Sequence, residues 1–245
     1  MSDYATIIYE KFDNIAYITL NRPEVMNRYN IQMRDDLYQV VSALIDDTDV
    51  WVVIFKGAGV RAFCVGADLT EFGTAPSPII ARQVRWQRDV WGLIYSIRKP
   101  TIAAVHGFVF GSGLELALLC DFRIASDDAI FGLPEPSLGM IPAAGGTQTL
   151  PRVIGRSRAL SMLLMGNRID SDQALRFGLV NKVVRKDELY SSAREFAQRI
   201  LSFNPFAIQC AKEAVKRGSD MCLHYGLMLE SELSKKMANR AFTDK

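Results

Sequence analysis

The sequence predicts an α/β fold with a helical C-terminal region. Short, β-branched apolar runs alternate with helix-periodic segments over the first two-thirds of the chain. From about residue 156 the pattern becomes mostly helical, with a single strand-like run. No low-complexity linker separates the two parts, and no solenoid-like repeat is visible. A core over residues 1–186 and a helical region over 187–245 are expected, and a chain of 245 residues can bury such a core without disulfides or metals.

Residues 4–10 and 15–20 are rich in β-branched and apolar side chains, with Asp13 and Asn14 between them, which predicts a hairpin. Met33, Leu37, Val40, Val41, Leu44 and Ile45 fall at helical spacing over 31–46. Trp51–Phe55 reads as a short buried strand, ended by Lys56-Gly57-Ala58-Gly59. A polar stretch containing glycine and proline comes next, from Gly66 to Pro78. Residues 80–98 predict one helix that stops before Lys99-Pro100, because the residue preceding proline avoids helical angles. Thr101–Val105 is a strand. The stretch Gly107–Gly113 reads as a glycine-rich turn opening a helix from about Leu114 to Cys120, and Asp121–Ala125 returns to strand. Helices are then expected over 156–166, 171–176, 187–202, 205–217 and 220–239, with a strand over Leu179–Val184.

Composition excludes several classes. The chain is 49% hydrophobic and 23% charged, an ordinary globular balance. Its formal charge of +2, from 29 basic and 27 acidic residues, leaves no footprint for nucleic acid or an anionic membrane. Cys64, Cys120, Cys210 and Cys222 form no CxxC pair and are read as reduced core thiols. The histidines are His106 and His224 alone, with no HExxH pattern, so no metal site is expected. The most apolar stretch, Thr101–Cys120, carries His106, Glu115 and glycines, which argues against a membrane span. The first residues show neither a secretory leader nor an Arg-rich presequence, so the cytoplasm is the expected location.

No GxSxG, GxGxxG or GxxxxGK pattern is present. Gly111-Ser112-Gly113 comes after a strand and opens a helix, where backbone N–H groups lack partners and can stabilise negative charge on oxygen. The same glycines are also what a tight strand-to-helix turn needs for geometry alone. Glu115 sits among apolar neighbours at the helix start, either as a carboxylate favoured by the helix dipole or as an acid–base group. Glu135, flanked by Pro134 and Pro136 in an apolar loop, is either a loop charge reaching solvent or a second acid with a raised pKa. Arg61 to Glu71 is a strand-to-loop junction able to supply a further backbone N–H, and Glu71 itself reads as a loop charge of little consequence.

Taken in order, these segments resemble the crotonase (enoyl-CoA hydratase) superfamily. The resemblance runs along nearly the whole chain, from about Ile15 to Phe242. Its carriers are Ile18–Glu24, Ala62–Leu69, Lys99–Gly107, Gly111–Asp121 and Phe131–Glu135, the last continuing through Leu138–Arg152. It implies a spiral of ββα units with trailing helices that assemble a homotrimer or a dimer of trimers. It also implies an oxyanion hole made by the N–H groups of Ala67 and Ser112, where many relatives have glycine at the second position. Glu115 and Glu135 match the two acids of the hydratases; isomerases and other members often lack or replace one.

The implied reaction is hydration of a 2,3-enoyl-CoA to the 3-hydroxyacyl-CoA, as in fatty-acid β-oxidation, with Glu115 as base toward water and Glu135 as proton donor to Cα. Coenzyme A is part of the substrate and no separate cofactor is implied. Arg61, Cys64, Val65 and Ala67 are the positions implied for CoA, with Arg61 either a phosphate partner or a solvated loop side chain. The chain departs from the pattern at Ala143, where many hydratases have glycine, and set against the resemblance its C-terminal region is expected to be shorter than in relatives. The alternatives are an enoyl-CoA isomerase, a hydratase of cyclic or dienoyl thioesters, or a non-catalytic CoA-binding or scaffold member.

Overall fold

A computed structural model describes residues 4–243. Met1–Asp3 and the terminal Asp244-Lys245, on which the expectation of no leader and the end of the C-terminal region bear, lie outside the described residues.

The chain opens with the expected hairpin. β1 (Ile7–Phe12) pairs antiparallel with β2 (Ile15–Leu20). Asp13 and Asn14 take φ values of 51° and 60°, the left-handed pair that a tight two-residue turn requires and that Asp and Asn tolerate best. α1 (Ile31–Asp46) keeps the predicted bounds, and the Asn30 side chain caps it by accepting from the Met33 N–H at 2.9 Å.

A strand–strand–helix unit then repeats. β3 (Val52–Gly57) runs into β4 (Ala62–Cys64), β5 (Thr101–Val105) into β6 (Phe108–Phe110), and β7 (Phe122–Ser126) into β8 (Ile130–Gly132). The helices between them are α2 (Pro78–Gln87) and α3 (Val90–Ser96) in the first turn and α4 (Ser112–Leu119) in the second. With β9 (Ile169–Asp170) and β10 (Lys182–Val184), the strands sort into two sheets. One is β1-β2-β3-β5-β7-β10 and the other β4-β6-β8-β9, parallel except for β1–β2 and β8–β9. The ββα spiral is therefore present as expected. Each first strand joins the large sheet and each second strand joins the small one.

Three departures from the sequence pattern have local causes. β6 lies inside the stretch that reads as a turn, because three apolar residues sit between Gly107 and Gly111, both at positive φ. The single helix over 80–98 is two helices. Arg88 leaves helical angles at φ −125° and ψ 56°, and Asp89 starts α3 by accepting from the Gly92 N–H at 3.0 Å. α5 (Gly146–Ile154), with Pro151 inside it, fills a span that the periodicity leaves unassigned, and α6 (Arg156–Met165) and α7 (Ser171–Phe177) follow it.

The large sheet is buried on both faces, which explains runs such as Thr101–Val105 with no polar alternation. One face packs on α1, α3 and α4. The other is covered by α8 (Leu189–Leu201), whose Leu189, Ala193 and Ala197 meet Ile15, Val52, Ile54, Ile102 and Ile124. α9 (Pro205–Gly218) and α10 (Leu223–Thr243) instead pack on each other through Cys210, Leu229 and Leu233. Cys64, Cys120 and Cys210 are buried free thiols, but Cys222 is exposed and is not a core residue. No helix of the described residues is long and apolar enough to cross a membrane.

Candidate active site

Parallel pairing of β4, β6 and β8 brings their C-terminal ends side by side. Ala67 comes after β4, Ser112 after β6 and Glu135 after β8, while Glu115 lies one turn into α4. All four line one cleft of about 560 Å³. Its other walls include Tyr29 and Arg34 around the start of α1, Phe72, Arg85 from α2, Trp91 from α3, and Met140, Ile141, Ala143 and Ala144.

The two amides are free for geometric reasons. Tyr29 donates to the Gly66 carbonyl at 2.9 Å, and Asp68 donates to the Tyr29 carbonyl at 2.8 Å. In such a parallel bridge the middle residue, here Ala67, turns its own N–H away from the partner. Ser112 is the first residue of α4, where the N–H has no acceptor within the helix. Neither amide donates to any group of the described residues. The two loops also touch: a side chain built on Gly66 would put its Cβ 3.7 Å from the Ser112 nitrogen. Two glycines allow this approach. A Cβ on Gly113 would collide with the Cys64 carbonyl, and one on Gly111, at φ 51°, would lie 2.8 Å from the Glu135 Oε1.

The loop carrying Ala67 is braced by Arg22, within the Ile18–Glu24 segment, and by Asn27, three residues beyond its end. Arg22 pairs with the Asp68 carboxylate at 3.1 Å and donates to the Arg28 carbonyl. The buried Asn27 amide donates to the carbonyls of Ala58, Ala62 and Phe63. At the far end of α4, the buried Arg123 guanidinium donates to the carbonyls of Ala117 and Cys120, satisfying acceptors that the helix leaves open.

Glu115 is 2% exposed, and its Oε1 accepts from the N–H groups of Ala144 and Gly146, both at 2.8 Å. Burial pushes its pKa up, while those two N–H bonds and the charge of Arg85 oppose the rise. Glu135 begins a short 3-10 turn, Glu135–Leu138, and its Oε2 is buried with no hydrogen-bond partner among the described residues. Burial, reinforced by the Glu115 charge, pushes its pKa up to about 6. The site thus holds one carboxylate whose ionised form is hydrogen-bonded and one that keeps a proton more readily.

The positions expected at the CoA site separate. Val65 and Ala67 line the cleft. Cys64 does not line it, and its thiol is buried and pushed up to about 12 by desolvation. Arg61 is exposed at the start of β4, outside the cleft wall. Glu71 is more than a loop charge: its Oε2 accepts from the Ile31 N–H at 2.7 Å, holding the start of α1 beside the cleft. Of the pocket aromatics, Phe72 and Trp91 line the cleft, and Trp91 packs on Tyr29 with ring centroids 5.0 Å apart. Trp86 is 72% exposed and does not line it. Tyr29, Arg85 and the Ala144 and Gly146 amides carry no pattern of their own in the sequence. Only the order of the surrounding segments pointed to their neighbourhood.

The family description for enoyl-CoA hydratase/isomerase matches residues 10–244. The chain belongs to that family. Among curated members, it is 39% identical to the (E)-benzylidenesuccinyl-CoA hydratase of Thauera aromatica, over 89% of this chain and 85% of that one. It is 40% identical to the crotonyl-CoA hydratase of Syntrophomonas wolfei, over 94% of this chain and 88% of that one. The crystal structure of an enoyl-CoA hydratase from Bacillus anthracis superposes with a TM-score of 0.89 at 37% identity, covering 94% of this chain and 90% of that one.

Proposed function

We propose that this family member adds water across the 2,3-double bond of an enoyl-CoA thioester to give the 3-hydroxyacyl-CoA. The observation that carries the reading is the meeting of two unpaired amides and two unlike glutamates in one cleft. The thioester oxygen accepts from the Ala67 and Ser112 N–H groups, which hold the negative charge that develops as the double bond is attacked. Glu115, ionised, takes a proton from water as the water oxygen bonds to Cβ. The electron pair of the double bond moves onto the thioester as an enolate. Glu135 then delivers its proton to Cα and the carbonyl re-forms. Glu115 leaves the cycle protonated and Glu135 ionised, so a proton passes back between them, directly or through water, before the next turnover.

The chemistry is redox-neutral and uses no separate cofactor, since CoA enters as part of the substrate. Val65 and Ala67 offer backbone to the CoA moiety, and Arg61 offers a cation outside the cleft for a phosphate. We further propose a cytoplasmic enzyme of fatty-acid β-oxidation that works as a homotrimer or dimer of trimers. Exposed Leu223, Tyr225, Leu227 and Met228 on α10 supply apolar surface for such assembly. The names of the bacterial relatives, which include a crotonyl-CoA hydratase, support the acyl-CoA chemistry.

Incubation with crotonyl-CoA tests the reaction. Loss of the conjugated thioester absorbance with formation of the 3-hydroxyacyl product is expected. Inertness toward short, aromatic and dicarboxylic 2-enoyl-CoAs, combined with conversion of a 3-enoyl-CoA into its conjugated isomer, would replace this reading with an isomerase.

A further inference from the structure

Helix α2 buries none of its side chains. Among the described residues, one hydrogen bond joins it to the body of the protein: the Arg85 guanidinium donates to the Ala143 carbonyl. That acceptor precedes Ala144 and Gly146, whose N–H groups both bind the Glu115 Oε1 at 2.8 Å. Three residues of the cleft wall are arginines, and two of them already share one carboxylate. Arg34 and Arg88 share the Asp35 carboxylate at 2.9 Å and 3.3 Å. Arg85 has no carboxylate within salt-bridge distance among the described residues, so its charge acts on the cleft itself.

The other charged or titratable groups that line the cleft with Glu115 are Tyr29, Asp68, which pairs with Arg22, Glu71, Asp89 and Glu135, beside Arg34 and Arg88. Glu135 faces it from the loop after β8, and Asp89 lines the same cleft while capping α3. Cys64 of β4 is a neutral buried thiol, and Arg123 of β7 binds the opposite end of α4. The first turn of α5, Gly146 to Thr149, carries no charge. We propose that Arg85 is a positioning residue: it clamps the 143–146 loop over Glu115 and, through its charge, keeps that carboxylate ionised at the pH where the enzyme works. The proposal rests on the reading of Glu115 as the base. The Glu115 hydrogen bonds fix where the loop must sit, and Arg85 is the group that ties this loop to the opposite wall. Burial acts to raise the Glu115 pKa, and Arg85 is the positive charge that opposes it.

Two variants and two readouts test this. Arg85→Met removes the charge and the donor, and Arg85→Lys restores both in simpler form. Glu115 is titrated directly by ¹³C-carboxyl NMR, its signal assigned by its loss in Glu115→Gln, and kcat/KM for crotonyl-CoA is followed against pH. Because Arg85 is exposed, its effect is screened, and Arg85→Met should move the Glu115 titration to higher pH. The acidic limb of kcat/KM should move up with it, the basic limb set by Glu135 should stay, and Arg85→Lys should return both readouts toward wild type. An unmoved Glu115 titration in Arg85→Met overturns the proposal. So does a rise in KM with both limbs in place, which would make Arg85 a contact for an anionic part of the substrate. If the wild-type protein failed to hydrate any enoyl-CoA, the proposed function would fall, while the NMR titration would still decide what Arg85 does to Glu115.

Discussion

Glu115 and Glu135, the two acids of the proposed chemistry, are held in opposite ways. Glu115 sits on a regular helix, and two backbone N–H groups from a neighbouring loop bind one of its oxygens. Glu135 sits on a proline-flanked 3-10 turn, with one oxygen buried and unbonded. The side chains are chemically identical, and both are partly removed from water. What separates them is the backbone each one meets. Two N–H donors from the neighbouring loop favour the ionised form of Glu115, whereas Glu135 meets only its own backbone N–H and its burial favours the protonated form. A hydratase needs both forms at once, one to take a proton from water and one to give a proton to carbon.

The contrast predicts different losses for different changes. The largest effect belongs to the acids themselves: Glu115→Gln and Glu135→Gln should each lower turnover of the best substrate by roughly 10²–10⁴. Near-normal turnover in either variant, with circular dichroism showing a native fold, would remove that residue from its assigned role.

The oxyanion hole comes next. Ser112→Pro removes the N–H at the first helical position, where proline is tolerated, and should cost roughly 10²–10³ in kcat. Ser112→Gly keeps the N–H and should stay active. A folded but inactive glycine variant would show that the hydroxyl does chemistry and that two amides are not enough.

The smallest effect is on stability. The Glu135 pKa is about 6 in the folded chain against an ordinary 4.5, so the folded state holds the proton more tightly. Stability from this group is then present below pH 4.5 and declines as pH rises through about 6. Gln has no proton to lose. Glu135→Gln should therefore match wild type near pH 4 and exceed it by about 1 kcal/mol near pH 7.5, after allowance for solvent screening. Calorimetry at the two pH values reads this directly, and a variant gaining nothing at the higher pH would mean that Glu135 meets no net cost of ionisation.

The sequence showed more of the site's chemistry than of its supports. Glu115 and Glu135 could be picked out because each is an acid in an apolar run, and the order of segments around them is shared with a known superfamily. Ala67 and Ser112 were placed by the same resemblance; the local rule that helix starts leave N–H groups open reached only the turn Gly111–Gly113. The position of Arg85 could not be read. Its helix carries exposed Ile79 and Trp86, at 77% and 72%, so neither periodicity nor apolar content marks which side faces the cleft. The break between α2 and α3 was hidden because it depends on one side-chain cap from Asp89, in a segment whose periodicity continues across it.

By itself the sequence determined the hairpin at Asp13-Asn14, the length of α1 and the buried strands such as Thr101–Val105, while the ββα order came only with the family resemblance. The first three come from local rules: turn residues that accept positive φ, apolar spacing and side chains that cap helices. Only the tertiary structure decided which open amides meet and which glutamate is hydrogen-bonded. Likewise, α8 joins the sheet while α9 and α10 pack on each other. The reason is distance along the chain. Ala67, Ser112 and Glu135 come from three successive turns of the spiral, with Ala144 in the same turn as Glu135, and they become neighbours only because β4, β6 and β8 pair in parallel register. That register is set by the burial of the whole core, not by anything within each segment.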